Sequence, residues 1–416
     1  MSPIEPSEVA RQRIAEVRET RANLLDLSYL GLTTLPAELW ELEWLEYLNL
    51  QSNQCVTLSP ELGRLTKLKK LVLKQAGLES LPDCFDDMQR LFHLDASHNS
   101  LTTLPDSIGK LSRLKELELT RSVLKSLPET FGALTMLDVL NLSENCLTEL
   151  PDSFCQLHAL RVLNLQENPL QRLPDGFGAL ASLKELNCSY TALKTLPEST
   201  GELPRIRSLS LHHCKLGTLP DCLFSLNTLR VLDLSSTELT ELSEELEELD
   251  ELRYLFLNDN QLTELPESIG ELFELKSLQV NNNQLVALPS TFGWLEKLRT
   301  LELERNCFQE FPRELFQLSQ LKTLVMTENQ LRHLPDEMLQ MEELVYLYLE
   351  DNQFREFPRI TLQLPGLETL SLAGNLLSEP PTGLEQKPDM FVELGNNLFN
   401  LLKDNTGNVR TDTFFS

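Results

Sequence analysis

Residues 252–274 read LRYLFLNDNQLTELPESIGELFE, and they hold the pattern from which the rest of the chain is built. Leu252, Leu255, Leu257, Leu262, Leu265, Ile269 and Leu272 are its apolar positions, with Asn260 and Pro266 at fixed places between them. The arrangement returns every 23 residues, from Leu45 through Leu68, Leu91, Leu114 and Leu137 to Leu344 and Leu367, and no insertion breaks the register. With a weaker first repeat at Ala22, sixteen repeats end near Asp389. A chain of 416 residues would ordinarily divide into two or three cores, but a stack of short repeats escapes that limit.

Each part of the repeat has a physical reason. The x-L-x-L-x stretch alternates with period two, so its leucines point inward and its variable residues outward, as in a short strand stacked parallel on its neighbours. The Asn that follows has amide donors and an acceptor able to satisfy backbone groups left open where the chain turns. Pro comes after the next inward Leu in fourteen of the sixteen repeats, with Ser59 and Ser243 in the other two. Its fixed φ and missing N–H end a strand and open a helical or 3₁₀ turn. The next residue is acidic in nine successive repeats, from Asp83 to Glu267, which predicts carboxylates capping these turns at about 0.3–1 kcal/mol each. The run from Glu244 to Glu251 reads as a solvated turn face. The strand of each repeat is expected four to six residues after its first position.

This pattern resembles the leucine-rich-repeat family. The 23-residue length, the Leu-Pro pair and the glycines Gly109, Gly132, Gly178, Gly270 and Gly293 are similar to its intracellular class of Ras-pathway scaffolds, plant intracellular Ras-group proteins and bacterial repeat proteins. The resemblance implies an α/β fold, a leucine-rich-repeat solenoid in the form of a right-handed horseshoe, with a concave parallel sheet of about 75 Å and convex turns. It covers residues 22–402 and implies a protein-interaction module. In six repeats the Asn column departs from the family pattern, as Leu30, Ala76, Ser122, Thr191, Cys214 and Thr237. From Asn260 to Asn375 it is unbroken.

Three parts are expected. Residues 1–21 form a capping helix over 7–20, with Ser7 as N-cap and Ala10, Ile14 and Val17 on one face. Residues 22–389 form the sixteen-repeat solenoid. Residues 390–416 hold an atypical closing repeat, with Val392, Leu394, Asn397, Phe399 and Leu402 shifted in register by one, and a tail.

A formal charge of -27 and a pI near 4.6 oppose nucleic acids and anionic membranes, which require a basic footprint. No apolar run is long enough for a signal or a membrane span, so the chain is expected in the cytoplasm with no membrane insertion, monomeric when free, and with its eight scattered cysteines reduced. The sequons at Asn141 and Asn187 fall on strands and have no secretory context. His212, His213 and Cys214 are adjacent, but Cys214 occupies the inward Asn column, leaving the histidines on the surface. No phosphate loop, nucleophile elbow or His-Glu zinc motif occurs, so no catalytic residue, cofactor or metal site is expected. The bacterial repeat-bearing ubiquitin ligases need a further domain, and too few residues follow Leu402 here to supply one.

Partner-binding residues are sought at outward strand positions, where large apolar side chains add nothing to the fold. Val231, Tyr254 and Phe256 form one group, and Val325, Tyr346 and Tyr348 another four repeats on. Glu302, Glu304 and Arg305 lie between, so aromatic anchors bracket a charged centre over about 20 Å. A basic column through Arg161, Lys184, Arg207, Arg230, Arg253, Lys276, Arg299 and Lys322 reads as a rim whose charges balance acidic neighbours. The reading is a scaffold or adaptor that binds protein partners on its concave face. The alternative is a pathogen effector or immune-type protein that captures a host or foreign target with the same face.

Overall fold

A computed structural model of the protein describes residues 5–401, so Leu402 and the tail 403–416 lie outside the described residues. Residues 5–215 and 220–226 form one compact body, and 216–219 with 227–401 form another.

The first body opens with helix α1 (Pro6–Thr20), which buries Ala10, Ile14 and Val17, the expected face. Its N-cap is Glu5 and not Ser7, because Pro6 begins the helix and no side chain caps it. Nine strands follow: β1 (Leu24–Asp26), β2 (Tyr47–Asn49), β3 (Lys70–Val72), β4 (His93–Asp95), β5 (Glu116–Glu118), β6 (Val139–Asn141), β7 (Val162–Asn164), β8 (Glu185–Asn187) and β9 (Ser208–Ser210). Neighbours pair in parallel with a shift of one repeat, as in His93↔Glu116 and Asp95↔Glu118. The second body repeats this with β10 (Val231–Asp233), β11 (Tyr254–Phe256), β12 (Ser277–Gln279), β13 (Thr300–Glu302), β14 (Thr323–Val325), β15 (Tyr346–Tyr348), β16 (Thr369–Ser371) and β17 (Phe391–Glu393). The last strand belongs to the closing repeat and brings the described strands to seventeen, where sixteen are expected. Its pairing of Thr369 with Phe391 shows the anticipated shift of one residue.

Each strand is centred three residues after the repeat's first position, as Leu48 follows Leu45, and not four to six. Hydrogen bonds between coils do run further, to Leu50 N–H on Val72 O at 2.8 Å and Ser52 N–H on Lys74 O at 2.9 Å. Ser52, however, sits in the left-handed region with φ of 56°, so extended backbone ends before the ladder does.

The return segments are 3₁₀ turns that begin directly after the Leu-Pro pair, such as Asp106–Lys110 and Glu267–Glu271. Under them the inward position buries Phe131 and Phe154, whose stacked rings lie 6.1 Å apart. The glycine after Phe131 permits close stacking, since a Cβ on Gly132 would stand 2.2 Å from Ser153 O. The acidic column does not cap its own turns, and members such as Asp106 and Glu244 are already the first residues of theirs. Instead Asp83 accepts from Ser107 N–H at 3.0 Å and Glu244 from Ser268 N–H at 2.9 Å, each capping the turn of the next coil. Same-turn caps come from the residues that replace Pro: Ser59 and Ser243 accept from Glu61 N–H and Glu245 N–H, both at 3.2 Å.

The Asn column closes the other corner. Asn283 donates to Leu257 O, Val280 O and Asn281 O at 3.0, 3.3 and 3.1 Å, while its Oδ1 accepts Leu262 N–H at 3.0 Å. Substitutes do less, for Thr191 reaches one carbonyl, Cys188 O at 2.8 Å, and Ser122 Oγ is buried without a partner. Asn283→Ala is therefore expected to lower stability by about 1–3 kcal/mol, because it strands buried peptide groups. Ser122→Ala should be neutral or slightly stabilising. Guanidinium midpoints of the two variants check this, and equal losses would contradict it.

Candidate functional site

In the second body the outward positions of the strands form two columns. The first runs Val231, Tyr254, Ser277, Thr300, Thr323, Tyr346, Thr369, and the second Asp233, Phe256, Gln279, Glu302, Val325, Tyr348, Ser371, each paired with its neighbour in register. All the residues singled out for partner binding are exposed or half-buried here, while the leucines between them are buried. Tyr254 and Tyr346 are 40% and 39% exposed, although burial would be the default for such rings. Val231 lies beside Tyr254, and Val325 beside Tyr348, so both sequence groups are contiguous.

Glu302 stands midway between them. Its carboxylate accepts Gln279 Nε2 at 3.0 Å and Asn281 Nδ2 at 2.9 Å, and Gln279 Oε1 in turn accepts Asn258 Nδ2 at 3.0 Å. No described cation pairs with it. Arg305 turns the other way, 2.7 Å from Glu328 and 3.7 Å from Glu304, and these partners hold its guanidinium above and the Glu328 carboxyl below their ordinary pKa values. Glu304 thus pairs loosely with Arg305 and does not join Glu302 in one acidic centre. The basic column divides in the same manner. Arg230 pairs with Glu251 at 2.9 Å, while Arg299 and Lys322 are exposed with no salt bridge among the described residues.

These repeats match the family description "Leucine-rich repeat region" over residues 105–211 and 205–307, and "Leucine rich repeat" over 45–101, 66–124, 296–354 and 319–377. The chain belongs to the leucine-rich-repeat family. Each body is accordingly a piece of leucine-rich-repeat solenoid. No curated protein matches the chain in sequence. Among solved structures it is similar to a leucine-rich-repeat protein of Leptospira interrogans, with 32% identity over 91% of this chain and 98% of that one and a TM-score of 0.84. It is also similar to the ectodomain of the Arabidopsis thaliana receptor kinase GASSHO1/SCHENGEN3, at 28% identity over 88% of this chain and 51% of that one, with a TM-score of 0.58. The functional domain of InlJ from Listeria monocytogenes shares the fold at 20% identity and a TM-score of 0.67, over 90% of this chain and 74% of that one.

Other exposed leucine-rich-repeat surfaces escape the strand-column search. In the first body Tyr190 packs against His213 and His212 at ring distances of 4.8 and 4.9 Å, with its hydroxyl 3.0 Å from His212 Nε2. Adjacent sequence gave the histidines, but only the stacking of coils brings the tyrosine to them. On the turn side of the second body, exposed Phe273 and Trp294 line a pocket of about 470 Å³ with Lys297 and Gln317. Their apolar character at positions usually polar in other repeats is the signal that would have found them. Cys214 does point inward, its thiol donating to Cys188 O at 3.2 Å. Burial pushes the thiols of Cys55 and Cys222 up to about 11, which keeps them poorly nucleophilic. Among the described residues no cluster of His, Cys, Asp and Glu could hold a metal, and no helix is long and apolar enough to cross a membrane.

The strand face of the first body carries an acidic patch. Asp95 pairs in register with Glu118, and Glu116 binds His93 Nδ1 at 2.7 Å. Burial raises the Glu118 carboxyl above its ordinary 4.5, against a hydrogen bond from Asn141 and with help from Asp95. A raised folded-state pKa makes the ionised form a liability above it, and the liability fades as pH falls. Glu118→Gln should therefore raise the denaturation midpoint at pH 7, and its advantage should shrink on acidification toward pH 4.5. Melts of both proteins across that range provide the check.

Proposed function

We propose that the chain is a protein-recognition scaffold or adaptor, not an enzyme, and that the outward strand columns of its second body engage the partner. One observation carries this reading: four large aromatic side chains, Tyr254, Phe256, Tyr346 and Tyr348, stand on the exposed face of two three-residue strands. The leucine-rich-repeat fold serves protein–protein interaction, and these rings contribute little to its core. Aromatic residues beside a charged centre are the usual composition of a binding hot spot. The net charge of -27 argues against nucleic acid as the partner. Capture of a host or foreign target would use the same surface, so adaptor and effector differ in the partner and not in the site. Eight free thiols suit work in the cytoplasm.

Tyr254→Ala with Phe256→Ala, or Tyr346→Ala with Tyr348→Ala, should leave the melting midpoint nearly unchanged while partner affinity falls by about 2 kcal/mol or more. Affinity capture with crosslinking from native lysate supplies the partner for that measurement. Arg299→Glu with Lys322→Glu is the control for binding by the basic rim. Loss of binding in the rim variant with retention in both aromatic variants would transfer the site to the rim.

A further inference from the structure

The spacing on this face selects a shape as well as a composition. Glu302 on β13 is two strands from Phe256 on β11 and two from Tyr348 on β15, so each aromatic group stands about 9.6 Å from the carboxylate at a strand spacing of about 4.8 Å. Between Tyr254 and Tyr346 the first column holds only Ser277, Thr300 and Thr323. The result is a trough one side chain wide, walled at each end by a pair of rings and floored by hydroxyls.

A segment crossing the strands along this trough must present like-facing side chains at intervals of about 9.6 Å. A β-strand repeats its facing every two residues, at about 6.6 or 13 Å, and misses the interval. An α-helix comes near at every seventh residue, but its diameter of about 10 Å exceeds the distance of about 6.6 Å between the two columns. A polyproline-II segment has three residues per turn at about 3.1 Å each, so residues i, i+3 and i+6 face one side about 9.3 Å apart. The fit is to this conformation.

The charge at the centre fixes the middle residue. Both Glu302 oxygens are held by side-chain amides, which orient the carboxylate without neutralising it. Of the two cations three residues away in the sequence, Arg305 is taken by Glu328 at 2.7 Å, and Arg299 makes no salt bridge among the described residues. On the opposite border Arg299 and Lys322 stand exposed, so the cation of the ligand is directed to the side where Glu302 lies. One carboxylate midway between the rings calls for one basic side chain midway between the apolar ones.

We infer that the second body binds a polyproline-II segment of a protein partner with the pattern apolar-x-x-Lys/Arg-x-x-apolar. Each apolar side chain sits between the two rings of one strand, and the cation meets Glu302. The inference rests on the strand-face reading above and adds the ligand's conformation and charge.

The test pans a phage-displayed library of random 12-residue peptides against the full chain, then measures a synthetic consensus peptide by fluorescence polarisation. The expected consensus has a single Lys or Arg three residues from an apolar residue on each side. Glu302→Gln, checked for an unchanged melt, should weaken that peptide about tenfold, and adding one residue between cation and apolar anchor should weaken it comparably. A consensus with another spacing, with no central cation, or with full binding to Glu302→Gln overturns the inference; if the double aromatic variants still lose those peptides, the strand-face reading stands. Peptides that bind both aromatic variants as well as the wild type overturn the strand-face reading itself. A library with nothing enriched counts against the segment.

Discussion

A backbone that turns out of a strand every 23 residues leaves peptide groups facing the interior with no strand beside them, and the asparagine column answers for these groups. Asn145 shows the economy of the device: one amide donates to Leu119 O, Leu142 O and Ser143 O and accepts Leu124 N–H, with bonds of 2.9 to 3.1 Å. Two of those groups belong to the preceding coil, so the same bonds that satisfy a corner also tie one repeat to the next. The leucines supply the driving force for stacking, since they are nearly all fully buried, but apolar burial is non-directional. Register comes from the amides. Where an amide is missing, the corner is left to partial substitutes, as at Thr191 and Thr237, each of which reaches one backbone carbonyl.

What the sequence discloses follows from how local each interaction is. Strand, Asn and Leu-Pro recur at fixed offsets, so the core, the parallel pairing and the shifted closing strand could be read from spacing alone. The destination of the acidic column could not, because Asp83 and Glu244 bond across to the following coil and nothing in their own repeat shows it. The same holds for Ser59 and Ser243, which read as lapses in the proline column and prove to be its hydrogen-bonding equivalents. Ser7 does not cap the helix, since Pro6, with its φ already suited to a helix, takes the first position.

The candidate face was legible to the same degree. Period-two alternation places Tyr254, Phe256, Tyr346 and Tyr348 outward with no knowledge of three-dimensional structure. Their side-chain partners depend on neighbouring coils, and here sequence adjacency misled: Glu302, Glu304 and Arg305 read as one charged centre, yet Glu302 joins an amide network while Arg305 joins Glu328. Tyr190 was missed for a related reason. It lies after the strand, where alternation has stopped, and meets His212 and His213 from the next repeat.

That position after the strand explains how so regular a backbone leaves room for variety. The residue before each position of the Asn column adopts a left-handed conformation, whether Asn or a substitute follows, with φ of 57° at Tyr190, 53° at Asn282, 52° at Arg305 and 52° at Glu328. Non-glycine residues adopt it at a cost of about 1–2 kcal/mol. The surrounding backbone bonds enforce it: Asn282 N–H donates to Glu304 O at 2.7 Å, Arg305 N–H to Thr327 O at 2.9 Å and Tyr190 N–H to His212 O at 2.8 Å. Because backbone bonds dictate the geometry, the side chain is left free to vary. Tyrosine, histidine, arginine and glutamate all occur there, where a turn built on its own residue's preference would demand glycine or asparagine. The fold therefore stores a small strain in each repeat and gains a column of freely chosen side chains along the edge of the strand face, next to the outward columns that would meet a partner.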